Sequence, residues 1–180
     1  IKAKEERPDF DFKDDINLSG DKKHKAEISK DVVAMANYGG GLLVGGVPET
    51  TTGYALQGMP EARLKVFDST ALNDFVQNYC GPAINTTTRK IEIDGKVDGI
   101  VVVPGFVTQP HIVTKDYPQV FRTGDILTRS ASNNSVRAGP ADLREMIELA
   151  VRRRQKDLGD LLQAALESTR PLLVGRTPPP

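Results

Sequence analysis

The stretch "ANYGGGLLVGGVPET" (Ala36–Thr50) sets five glycines around a short apolar run. Two readings compete for it: a loop that cradles phosphate, or backbone crowded against its own chain. A dinucleotide fingerprint needs GxGxxG at a strand-to-helix turn, so that helix amides meet the pyrophosphate. Here Gly39 and Gly41 are followed by Val44 where the third glycine belongs. A Walker loop needs Lys-Ser or Lys-Thr after its second glycine, and none follows. The stretch also runs the wrong way, from helix to strand. Ala26, Ile28, Val32, Met35 and Ala36 recur at helical spacing just before it. The glycines are therefore structural: Gly39–Gly41 cap a helix, and Gly45–Gly46 let a neighbour approach the strand "LLVGGV". No nucleotide cofactor is expected.

Outward from that stretch the punctuation is regular. Asp21 is placed to N-cap the first helix, which runs to about Asn37. Before it, "FDFK" (Phe10–Lys13) alternates apolar and charged like a half-buried strand. After it, Asp68 or Ser69 opens a second helix with the stripe Leu72, Phe75, Val76 and Tyr79, ended by Gly81–Pro82. "TTTRKIEIDGKVDGIVVVP" reads as a hairpin turning at Asp94–Gly95. "QVFRT" reads as a further strand near Arg122, and residues 130–139 as a Ser/Asn/Gly-rich loop. A long helix should run from Pro140 or Ala141 to about Ser168. The order predicts an α+β fold: a single domain with a mixed, largely antiparallel sheet packed by helices, plus a long C-terminal helix. The expected boundaries are a charged segment at 1–9, the domain at 10–139, the helix at 140–168 and a Pro-rich tail or linker at 169–180.

Composition narrows the function classes. The chain is 38% hydrophobic and 27% charged, as in an ordinary soluble protein, and no run is long enough to cross a membrane. No basic segment precedes an apolar one near the start, although Ile1 in place of Met leaves a removed leader open. The single Cys80 cannot form an internal disulfide, which points to a reducing, cytoplasmic setting. With one Cys and only His24 and His111, zinc is not expected. Twenty-four basic and twenty-four acidic side chains cancel, yet Lys115 to Lys156 holds nine basic against five acidic residues, a net of +4. Such a patch is either a solvated helix face or a surface for an anionic partner.

Three elements in order carry a family resemblance: "EERPDFDFK", the helix ending "AMANYGGGLLVGGVPE", and "VFRTG". Over roughly residues 5–150 the chain resembles the Schlafen-type AlbA-like domain, a family described as nucleic-acid-binding. The resemblance implies RNA or DNA backbone as partner. Its Schlafen branch forms a metal-dependent endoribonuclease acting on structured RNA such as tRNA. That branch's three acids fall on Glu6, Asp11 and Glu49, which would hold Mg²⁺ or Mn²⁺, with Glu5 as an alternative to Glu6. Asp11 stands where Glu is usual, Glu49 where Asp is usual, and Pro48 is atypical. Each exchange moves a carboxylate by about one methylene, which the near-octahedral Mg²⁺ shell tolerates poorly.

Phosphodiester cleavage needs an activated nucleophile and stabilised phosphoryl charge, and carboxylate-held metal supplies both. Lys13 lies two residues from Asp11, hence on the same strand face, where it could hold a phosphate. For Asp11 and Glu49 to meet, the first two strands are expected to be antiparallel neighbours. Phosphate contacts are expected from Lys22, Lys23 and Lys25, from Arg122 unless it pairs with Asp125, and from Arg152, Arg153 and Arg154. The Schlafen nuclease uses two such domains around a basic groove, so a homodimer through the leucine stripe of the last helix is expected. The alternatives are a non-catalytic DNA-binding or regulatory module of a longer protein, and a protein-interaction domain.

Overall fold

The computed structural model describes residues 7–51 and 53–174, with side chains described through 168. Asp21 caps the first helix, α1 (Lys22–Tyr38), by accepting the His24 N–H at 2.8 Å. His24 in turn accepts the Asn17 N–H on Nε2, so its ring holds the entry loop. At the other end Gly39 adopts φ 139° and donates to the Met35 carbonyl. A side chain there would be strained, which is why the glycine run ends the helix.

Four strands make the main sheet: β1 (Phe10–Lys13), β2 (Gly40–Gly45), β6 (Thr87–Ile93) and β7 (Lys96–Pro104), in the order β1-β2-β7-β6. The hairpin β6–β7 turns where the sequence placed it. Asp94 and Gly95 both take positive φ, 51° and 74°, as a tight two-residue turn demands. The remaining pairs are two-stranded: β3 (Glu49–Thr50) with β4 (Gly53–Tyr54), β5 (Cys80–Gly81) with β8 (Ile112–Val113), and β9 (Leu127–Arg129) with β10 (Ser135–Arg137). Two further helices, α2 (Glu61–Lys65) and α3 (Thr70–Gln77), precede the last, α4 (Pro140–Val174). The fold is α+β, a single domain with a mixed sheet, as expected.

Four expectations need correction. β1 and β2 are parallel, with Phe10 opposite Leu42 and Lys13 opposite Gly45. The cause is α1: a helical crossover returns the chain to the end from which β1 started. "QVFRT" forms no strand; it contributes a single bridge between Tyr117 and Phe121 in a turn where Gln119 takes φ 66°. The 130–139 segment is not all loop, since β10 pairs there with β9. Finally, α4 continues to Val174, beyond the expected end at Ser168, so only 175–180 of the Pro-rich tail lies past it, outside the described residues.

The core lies between the sheet and α1 with α3, built from residues such as Val32, Met35, Leu43, Leu72, Val76 and Val101. A smaller cluster of Phe12, Val44 and Val47 sits on the other face, with Tyr54 and Leu56 packed against it. Gly45 is where the core approaches the strand: a Cβ would fall 2.8–2.9 Å from Met59 Sδ and Ile16. Gly46, at φ 91°, would drive one to 2.5 Å from Asp98 Oδ1. Around Gly45 and Gly46 the glycine-rich stretch is thus filled by its own chain.

Candidate functional site

Alternation along β1 points Asp11 and Lys13 to the sheet face that α1 covers. Two charged side chains beneath a helix need partners, and the fold supplies them from distant segments. Lys13 Nζ lies 2.8 Å from Asp31 Oδ2 on α1 and 3.3 Å from Asp11 Oδ2. Arg129, closing β9, lies with Nη1 3.1 Å from Asp11 Oδ2 and 3.8 Å from Asp31 Oδ1. Ser135 on β10 donates to Asp31 Oδ1 at 2.6 Å and accepts from Arg129 Nη1 at 3.1 Å. Two carboxylates and two cations therefore form one neutral cluster. Burial works against the Lys13 charge, but Asp31 and Asp11 outweigh it and raise the ammonium above its ordinary value. The Arg129 side chain is 1% exposed. Its Nε and Nη2 are buried without hydrogen-bond partners among the described residues.

The cluster floors an open cleft of about 530 Å³, lined by Asp11, Lys13, Asp31, Arg129, Ser135 and Glu49 among others. The parallel strands did not keep Asp11 and Glu49 from this shared cleft. β2 ends at Gly45, the chain turns at Gly46, and Val47 N–H returns to the Lys13 carbonyl, which brings Glu49 to the cleft wall. Asp11, Lys13 and Glu49 thus share one site; Glu6 and its alternative Glu5 lie outside the described residues.

Among the described residues the donor set does not by itself make a site for a divalent metal. Among the described residues no three His, Cys, Asp or Glu side chains gather closely enough to hold an ion. Asp11 already contacts two cations, and Lys13 is held between two carboxylates, not free for substrate. Arg129, Asp31 and Ser135 were not singled out from sequence. The readable signal was Asp31, an acid lying among the apolar positions Ile28, Val32 and Met35 of an amphipathic helix.

The basic candidates separate into two kinds. Lys22 and Lys23 are exposed in the first turn of α1, Lys25 is half-buried beside them, and none forms an ion pair among the described residues. Arg122 is exposed; its backbone N–H donates to Asp125, whose carboxylate is paired with Arg137 at 2.8 Å, so the alternative, an Arg122–Asp125 ion pair, is not formed among the described residues. On α4 the three arginines diverge. Arg152 reaches Glu148 only at 4.0 Å, Arg154 is exposed, and Arg153 lies 5.2 Å over the Phe106 ring, covering the core.

Asn37, in the most specific part of the glycine motif, is wholly structural. Its amide donates to the His111 and Leu127 carbonyls at 2.9 Å each and accepts the His111 N–H at 2.7 Å, pinning α1 to two later segments. The family model described as Schlafen, AlbA_2 matches residues 6–136. The chain belongs to this family. Its AlbA_2 region thus includes every residue of the charge cluster and ends just before α4. No curated protein matches the chain. Among solved structures, it is similar to the DIP2311 protein from Corynebacterium diphtheriae, at 16% identity and a TM-score of 0.49, covering 77% of this chain. The chain spans 23% of the length of that protein. A second similar structure is the N-terminal domain of a Nitrosomonas europaea protein named as related to the ATP-dependent DNA helicase RecG. There the identity is 19%, the TM-score 0.42, and the coverage 75% of this chain and 87% of that one.

Proposed function

We propose that this AlbA_2 domain binds nucleic acid through its phosphate backbone and acts as a non-catalytic module of a longer protein. The observation that carries this reading is the division of its cations. Those inside, Lys13 and Arg129, are matched by Asp11 and Asp31; Lys22, Lys23, Arg122 and Arg154 are exposed with no ion pair among the described residues. Two lysines in the first turn of a helix oppose its dipole, a cost that an anionic partner removes. With no Trp and 6% aromatic residues, backbone contacts to a duplex fit better than stacking on unpaired bases.

A second reading, a Mg²⁺- or Mn²⁺-dependent endoribonuclease acting on structured RNA such as tRNA, is favoured by one observation: Asp11, Lys13 and Glu49 line the same cleft. Incubation of the chain with tRNA, single-stranded DNA and duplex DNA, in Mn²⁺ or in EDTA, separates the two. The module reading expects equal retention of nucleic acid under both conditions and no cleavage. Cleavage that stops with EDTA and with Glu49→Ala establishes the nuclease instead.

A further inference from the structure

Strand β6 lies at one end of the main sheet, bonded to β7 on one side and, among the described residues, to no strand on the other. The two-residue turn at Asp94–Gly95 fixes which backbone groups face outward. Residues flanking such a turn exchange both of their hydrogen bonds, and facing pairs alternate from there. Ile93, Ile91 and Arg89 therefore bond to β7, whereas Glu92, Lys90 and Thr88 turn N–H and C=O outward. Among the described residues no hydrogen bond reaches the outward groups of Lys90 or Glu92. Both side chains are exposed.

Such an edge is a template for another strand unless its charges repel one. Here they do not: the outward residues carry opposite signs two positions apart, which makes β6 its own antiparallel complement. We propose that β6 pairs with β6 of a second copy, antiparallel, about a two-fold axis at Ile91. Lys90 then faces Glu92 of the partner subunit, and Glu92 faces the partner's Lys90. Each facing pair exchanges two backbone hydrogen bonds and brings opposite charges together. Ile91 meets the partner's Ile91 on the other face of the sheet. Moving the axis by one residue would set Lys90 against the partner's Lys90, so charge selects the register. The two four-stranded sheets join edge to edge. An axis perpendicular to the joined sheet leaves both α1 helices, with their first-turn lysines, on the same side of it. A dimer through the last helix would not do this, since β6 alone supplies the contact.

Sedimentation and single-cysteine cross-linking test the pairing without nucleic acid, so they stand or fall apart from the binding proposal. Cys80 is buried, leaving an introduced thiol as the accessible one. The register puts the Cα of position 91 about 4.5 Å from its own copy, within disulfide reach. Position 87 lies about 26 Å from its own copy. A strand-edge contact is small, so the chain should be dimeric only toward about 100 µM. Ile91→Cys should cross-link under mild oxidation and Thr87→Cys should not. Lys90→Glu, at an exposed side chain, should weaken dimerisation by roughly 10-fold, because two attractive pairs become repulsive at once. The exchange Lys90→Glu/Glu92→Lys should restore it. A parent that stays monomeric, an Ile91→Cys chain that does not cross-link, a Lys90→Glu variant that dimerises like the parent, or an exchange that fails to restore the dimer would each overturn the proposal.

Discussion

The charge cluster under α1 and the outer half of α4 depart from ordinary residue placement in opposite directions. One buries three charges and half-buries a fourth, Lys13; the other exposes leucines to solvent. The first departure is compensated inside the chain, since Asp11, Asp31, Lys13, Arg129 and Ser135 meet one another. The second has no compensation among the described residues. A departure that the chain closes by itself concerns stability, whereas one left open concerns a partner. The exposed cations of α1 belong with α4 in that respect.

The comparison predicts its largest effect at Arg129. Removing one member of a buried ion-pair network leaves the others uncompensated, at a cost of about 3–5 kcal/mol. Arg129→Leu should lower the urea midpoint accordingly, while Glu49→Ala on the exposed cleft wall should stay within about 0.5 kcal/mol of the parent. Equal effects from the two would show that the cluster is not the keystone described. For the same reason Asp11→Ala is a poor probe of catalysis, because it strands Lys13 and Arg129.

Asn37→Ala comes next. It orphans the His111 N–H and two carbonyls, at roughly 1–3 kcal/mol for each buried group that water cannot reach. The loss should appear as early amide exchange of β9, where α1 is pinned to Leu127. Unchanged protection of β9 would contradict the clamp.

A smaller effect, visible through pH, is expected at Asp98. It is 0% exposed, and burial raises its carboxyl above the ordinary range; Gly58 N–H and Lys96 oppose the rise only in part. A folded-state value above the unfolded one, about 3.9, means that the proton binds the folded chain more tightly. The associated stability is present below the unfolded value and is lost as pH rises through the folded one. Asp98→Asn, which mimics the protonated side chain, should therefore be more stable than the parent at pH 7, with the gap closing toward about pH 4. A gap independent of pH would place the effect in packing.

Local signals made much of this legible in the sequence. The Asp21 cap, the glycine stop after α1 and the Asp94–Gly95 turn each rest on a few neighbouring residues, and each was read correctly. Short strands such as β9 and β10 were missed because their pairing, and the burial of Arg129, depend on α1 lying above them. The direction of β1 against β2 was misread by reasoning from the acids; the length of the α1 crossover was the better guide. At the site, alternation placed Asp11 and Lys13 on one face. That the face is the covered one follows only from tertiary packing.

The central claim is that exposed lysines and arginines hold phosphate while the buried ones do not. Its most direct test is the salt dependence of binding to a labelled duplex, for the parent and for Lys22→Ala/Lys23→Ala. Each lost phosphate contact removes about 0.7–0.9 from the slope of log K against log[salt]. The double variant should bind every sequence more weakly by the same factor, with a slope shallower by about 1.4–1.8. An unchanged slope at unchanged affinity would contradict the claim.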